Sequence, residues 1–185
     1  MTVCFVFSTV TPKPTSDLVV FKRIIHQLAV DSVAEDGCIF YQILQTAEEP
    51  NIYYVLSKFR DMEALELHEQ APSRMTAMNN FLELARSDMN QKIAQDASSQ
   101  DVSTMSDDSS FHRVGSVRLV VTVTVFDEPQ FILLAQRLTN ETLQEEGNVS
   151  YTFAKVTETV DASNQGLRAG PSATLEYMFI ELFKG

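Results

Sequence analysis

No tryptophan occurs in the chain, and cysteine is limited to Cys4 and Cys38. Two cysteines cannot make a disulfide framework. Basic residues are in deficit, 14 against 25 acidic ones, for a formal net charge of −11. That balance argues against nucleic acid, because a phosphate backbone needs a basic face to neutralise it. It also disfavours docking to an anionic membrane. No stretch approaches the roughly 18 apolar residues of a membrane span. The opening run, Met1 to Ser8, has no cationic region and too short an apolar stretch for a secretion signal. The expectation is a soluble, cytoplasmic protein. A G-x-S-x-G elbow, a P-loop and a G-x-G-x-x-G turn are all missing, which removes support for hydrolase, nucleotide and dinucleotide readings. His26, His68 and His112 are scattered without the close spacing of a metal site, so no metal is expected.

The composition that remains is globular, with 44% hydrophobic residues in 185. Val3 to Val10 is rich in β-branched and aromatic residues and reads as a strand, ended by Pro12 and Pro14. Ser16 or Asp17 can cap a helix in which Phe21, Ile24, Ile25 and Leu28 form one stripe. Asp36-Gly37 breaks that helix, and Gly37 allows a tight turn at positive φ. Cys38 to Gln45 and Ile52 to Phe59 read as strands flanking a turn at Glu48-Glu-Pro-Asn51. Asp61 caps a helix over Met62 to Gln70, and Pro72 opens another in which Met75, Met78, Leu82 and Ala85 share a face. The order β-α-β-β-α is the split βαβ plan of a ferredoxin-like α+β module. A fourth strand should complete its sheet, and none is evident before the polar run that begins at Asp96. In this plan Cys4 and Cys38 lie about 9–10 Å apart, two strand spacings, beyond the ~7 Å reach of a disulfide. Both read as reduced.

From Asp96 the chain turns to Asp, Ser and Gln, the composition of a linker. Beyond it, Val117 to Phe126 is a strong strand and the pattern repeats. Phe21 to Tyr41 aligns with Phe131 to Tyr151 at an offset of 110 (131 − 21, 151 − 41), with Phe, Leu, Glu, Gly and Tyr coinciding. Tyr53 to Arg60 matches Tyr177 to Lys184 at an offset of 124 (177 − 53), so the hairpin carries a 14-residue insertion (124 − 110) within Asp161 to Thr174. Fixed offsets with one element order indicate duplication. The expected organisation is a module over 1–95, a linker over 96–112, and a second, incomplete module over 113–185. The second copy stops where the first begins its second helix, which fits either a shortened sequence or a repeat completed by the first module. A module of about 90 residues barely buries an adequate core alone, so pairing between modules, or of two chains, is expected.

The run Ala34-Glu-Asp-Gly-Cys-Ile-Phe-Tyr41 resembles the A-E-x-G-C-x-x-Y signature of the antibiotic biosynthesis monooxygenase family. Tyr54 to His68 resembles its segment of strand, aromatic residue, capped helix and histidine. The resemblance implies the dimeric α/β-barrel type of fold, an antiparallel sheet with helices on one face. It also implies oxidation of a small phenolic or quinol-type aromatic substrate by molecular oxygen, with no cofactor. A base deprotonates such a substrate to an electron-rich anion that reacts with oxygen, and the protein adds orientation and a dry pocket. His68 is then the candidate catalytic base, because an unperturbed imidazole titrates near neutral pH; the plain alternative is a solvated histidine near a helix end. Tyr41, Tyr53, Phe59, Met75 and Phe81 are the candidate substrate contacts. Glu35 and Glu145 read as complements to a helix end or interface. Where the family usually has a glutamate on the third strand, this chain has Ser57, while the second copy has Glu181. The haem-degrading branch relies on a tryptophan and on a first-strand asparagine; both are missing, which disfavours that activity. The rival reading is a non-catalytic small-molecule-binding or assembly module of the same fold.

Overall fold

The computed structural model describes residues 2–86, 90–97, 117–146, 148–161 and 175–183. They form two compact units, one built on residues 1–93 with the end of the sixth strand from Glu158, the other on 94–157 and the last strand. The expected linker from residue 98 onward, with His112, lies outside the described residues, as do Gly147 and positions 162–174 of the hairpin insertion.

The first unit runs β1 (Cys4–Val10), α1 (Leu18–Val33), β2 (Cys38–Leu44), β3 (Tyr53–Phe59), α2 (Met62–Gln70), α3 (Pro72–Leu84) and, as far as Ile93, β4 (Asn90–Asp96). Its strands are ordered β2-β3-β1-β4, and β3 pairs antiparallel with both β1 and β2. Cys4 and Cys38 both pair with Phe59 in these ladders and are reduced thiols. α1 begins where Asp17 accepts hydrogen bonds from the backbone N–H groups of Val19 and Val20 at 2.8 and 3.2 Å. Such a cap is worth about 1 kcal/mol. The helix buries Phe21, Ile25 and Leu28, with Ser32 satisfied by donating to the Leu28 carbonyl at 2.7 Å. Gly37 has φ +87°, and a Cβ there would meet the Ala64 Cβ at 2.6 Å. Only glycine suits both the turn and that approach.

Two sequence expectations need correction. The fourth strand exists, as β4, although Asn-Gln-Lys-Ile-Ala-Gln-Asp carries a single β-branched residue. Ile93 and Ala94 are fully buried, so its place beside β1, more than its composition, makes it a strand. On α3 the buried stripe is Ala77 and Phe81, backed by Met78 and Leu84, while Met75 is 58% and Leu82 74% exposed. Apolar residues lie all around this helix, and the inward side is the one carrying Phe81, which packs on Phe21 of α1 at 5.6 Å.

The second unit contains β5 (Val117–Val125), α4 (Glu128–Thr142), β6 (Asn148–Asp161) and β7 (Leu175–Phe183), ordered β6-β7-β5 and antiparallel. Its core gathers Phe131, Phe153, Tyr177 and Phe179, with Phe131 and Tyr177 rings 4.6 Å apart. In both units the helix-following strand carries a bulge at the same place. The register slips between Cys38 and Phe40 opposite Phe59, and between Asn148 and Ser150 opposite Phe183. The offsets are again 110 (148 − 38) and 124 (183 − 59). Tyr41 accordingly pairs with Ser57, and Tyr151 with Glu181.

Candidate active site

His68 lies in the last turn of α2, whose N-terminus is capped by Asp61 accepting from the Ala64 N–H at 2.9 Å. Helical spacing places Ala64, Leu65 and His68 on the buried side. His68 is only 5% exposed, so it is not a solvated helix-end residue. Its ring packs on Phe59 at 4.9 Å and Tyr41 at 5.6 Å. Its Nδ1 is 2.7 Å from Oε2 of Glu35, which stands just beyond α1 in the turn leading to Gly37.

Burial lowers the His68 pKa from 6.5 to about 4, helped by the Arg74 guanidinium and opposed by Glu69. The ring is therefore neutral near pH 7. The short contact assigns its one proton to Nδ1, donating to the Glu35 carboxylate, which leaves the Nε2 lone pair to accept a proton from a ligand. Burial and the neighbouring Asp31 raise the Glu35 carboxyl above the usual range, while Arg74 and the Ser73 hydroxyl favour its ionised form. Burial outweighs the Glu35 contact at His68 because a neutral imidazole already donates to that carboxylate. Tyr41 is pushed up to about 12, foremost by burial, and keeps its phenolic proton.

Two adjoining clefts open here within the first unit. One, about 270 Å³ including its mouth, is lined by His68, Tyr41, Ser57, Phe59, Glu69 and Arg74, among others. The other, about 400 Å³ on the same measure, includes Tyr41, Arg74, Met78, Phe81, Leu28 and Val55 in its lining. Of the substrate contacts expected from sequence, Tyr41, Phe59 and Phe81 line these clefts. Tyr53 does not; it is buried in the core, its ring 5.0 Å from Phe21. Met75 faces outward, and Met78 lines the wall in its place. Arg74, Ser57 and Gln91 were not among the expected contacts. Gln91 comes from β4 and Arg74 from the first turn of α3, where a polar residue ordinarily reads as solvated. Among the described residues no group of three or more His, Cys, Asp or Glu could hold a metal ion.

Residues 12–80 match the model of the family described as Antibiotic biosynthesis monooxygenase. No curated protein matches the sequence. Among solved structures, a candidate monooxygenase from Lactobacillus acidophilus NCFM aligns at TM-score 0.63 and 18% identity, over 99% of this chain and 77% of that one. This is a likeness of fold. A protein from Pseudomonas aeruginosa is 26% identical at TM-score 0.45, over 51% of this chain and 92% of its own. A candidate antibiotic biosynthesis monooxygenase from Nitrosomonas europaea is 15% identical at TM-score 0.46, over 49% and 86%. Residues 12–80, within the first unit, are thus the part of the chain similar to the antibiotic biosynthesis monooxygenase family.

Proposed function

We propose that the first unit is a cofactor-independent monooxygenase acting on a small phenolic or quinol-type substrate, with His68 as its general base. One observation carries the reading: a neutral imidazole, held through Nδ1 by Glu35 at 2.7 Å, stands in the wall of a cleft beside Tyr41 and Phe59. A base whose far nitrogen is fixed by a carboxylate keeps one tautomer and one orientation. Nε2 takes the hydroxyl proton, and the substrate anion supplies electrons to molecular oxygen. For a phenol the balance is phenol plus O₂ giving quinone plus water, one oxygen atom entering the ring and the other leaving as water. Tyr41 and Ser57 supply hydroxyls that orient the substrate, and Phe59 and Phe81 supply apolar wall.

Two modules joined by a linker over 96–112, paired with each other or with a second chain in the cytoplasm, complete the proposal. The matching bulges at Cys38–Phe40 and Asn148–Ser150 support a duplication.

The test is oxygen consumption by the purified protein against a panel of quinols and polyphenols, with His68→Ala as control. Uptake above autoxidation that disappears in the variant is expected. Uptake that persists undiminished in folded His68→Ala removes the base from the mechanism. A non-catalytic binding module is the second reading, favoured by Ser57, a buried neutral group facing Tyr41 where family members carry a glutamate. It predicts ligand binding with no oxygen uptake on any member of the panel.

A further inference from the structure

We propose that Arg74 makes the cleft selective for an oxyanion, so that an aromatic hydroxyl compound is held there in ionised form with its oxygen at the guanidinium. The inference rests on the reading of this cleft as the substrate site and names the chemistry it selects.

Arg74 lines both clefts and is half-buried. A guanidinium has five N–H donors in a fork suited to oxyanions. One of Arg74's donors is engaged by the Met78 thioether, a weak acceptor that an oxygen anion readily displaces. The larger cleft is walled by Ile25, Leu28, Val55 and Phe81. That apolar wall suits a flat aromatic ring with its polar edge at Arg74 and Tyr41.

The titratable groups around this point are Arg74, Glu35, Glu69, His68 and Tyr41, with the Cys38 thiol near Tyr41 and Asp31 acting on Glu35. Carboxylates oppose the one guanidinium, and at Glu35 the influence of Asp31 exceeds that of Arg74. At His68 the influence of Arg74 exceeds that of Glu69, and at Tyr41 it exceeds those of Cys38 and Glu35. Glu35 is also engaged by the His68 N–H. The chemistry requires such help. A ring with a pKa of about 4 is a poor acceptor for the proton of an ordinary phenol. Arg74 lowers the substrate's proton affinity, and the phenolate beside Nε2 raises that of the ring. The O–H bond breaks, the N–H bond forms on Nε2, and the oxyanion remains at Arg74.

The experiment uses 4-nitrophenol, too electron-poor to reduce oxygen and coloured only as the phenolate. Its absorbance is titrated across neutral pH, free and with the full-length chain. The expected result is a bound pKa lower by about one unit, a tenfold preference for the anion. Arg74→Gln abolishes the shift and Arg74→Lys retains part of it, with circular dichroism confirming the fold. A folded protein that binds no probe, a bound pKa unshifted or raised, or a shift surviving in Arg74→Gln overturns the proposal. Oxygen uptake in His68→Ala reads the base and the ionisation shift in Arg74→Gln reads the guanidinium, so the failure of the base reading and the failure of this one register in different measurements.

Discussion

Glu35 and His68, 33 positions apart, meet through a 2.7 Å contact between Oε2 and Nδ1. The pair joins the turn after α1 to the last turn of α2, with Gly37 and Ala64 in close approach beside it.

Replacing Glu35 separates the two jobs of that contact. Glu35→Gln preserves size but can present its N–H₂ to the ring and so favour the other tautomer, with the proton on Nε2. Turnover should fall by about tenfold or more, since hydrogen bonds to charged groups are worth about 1.5–3 kcal/mol. Glu35→Ala should also destabilise by about 1–3 kcal/mol, because it leaves a buried N–H unpaired. Urea unfolding and oxygen uptake read the two effects. Unchanged values in both variants would make the contact incidental.

His68 ties stability to pH. Its folded pKa of about 4 lies below the unfolded value of 6.5, so between these limits the unfolded chain binds a proton that the folded chain refuses. Stability from this residue is complete above about 6.5 and declines as pH falls toward 4. The full swing is on the order of 3 kcal/mol. Glu35, with a raised folded pKa, acts in the opposite sense: its contribution is present at low pH and lost as the carboxylate ionises. Unfolding free energies measured from pH 7 to 4 for the native chain and His68→Gln should therefore converge as the pH drops. Parallel curves would mean that His68 titrates normally in the fold.

What the sequence discloses about this site divides by physical range. Asp17, Asp61 and Gly37 act on backbone within three or four residues of themselves, and their capping and turn roles are readable from local pattern. The offset of 110 is equally local, a comparison of one stretch with another. β4 is different: its pairing with β1 across some eighty positions supplies what Asn-Gln-Lys-Ile-Ala-Gln-Asp lacks in intrinsic preference. Arg74 and Glu35 escaped for the same reason. Each is an ordinary charged residue near a helix end until the fold brings it to His68. Met75 and Met78 differ by three positions on one helix, and only packing decides which of them turns inward.

Gly37→Ala should cost about 1–3 kcal/mol from its positive φ alone. The added Cβ would lie 2.6 Å from the Ala64 Cβ, and α2 would have to shift to relieve it. Because α2 carries His68, activity should fall further than stability. Adding Ala64→Gly removes the clash but not the backbone strain, so thermal melting should recover only in part. Full recovery in the double variant would assign the whole cost to the clash.

The contrast between Phe81 and Met75 tests where α3 faces. Phe81 is buried against Phe21 and lines the larger cleft, so Phe81→Ala should cost about 3–5 kcal/mol. Met75→Ala, at an exposed position, should change stability by less than about 0.5 kcal/mol, and substrate KM should not move. Met78→Ala falls between the two. It widens the cleft and frees the Arg74 guanidinium from its thioether partner, so binding of an anionic ring should change by more than stability does. Melting temperatures and KM values for the three variants decide the matter. A KM that rises in Met75→Ala and stays fixed in Met78→Ala would rotate α3 away from the orientation described above.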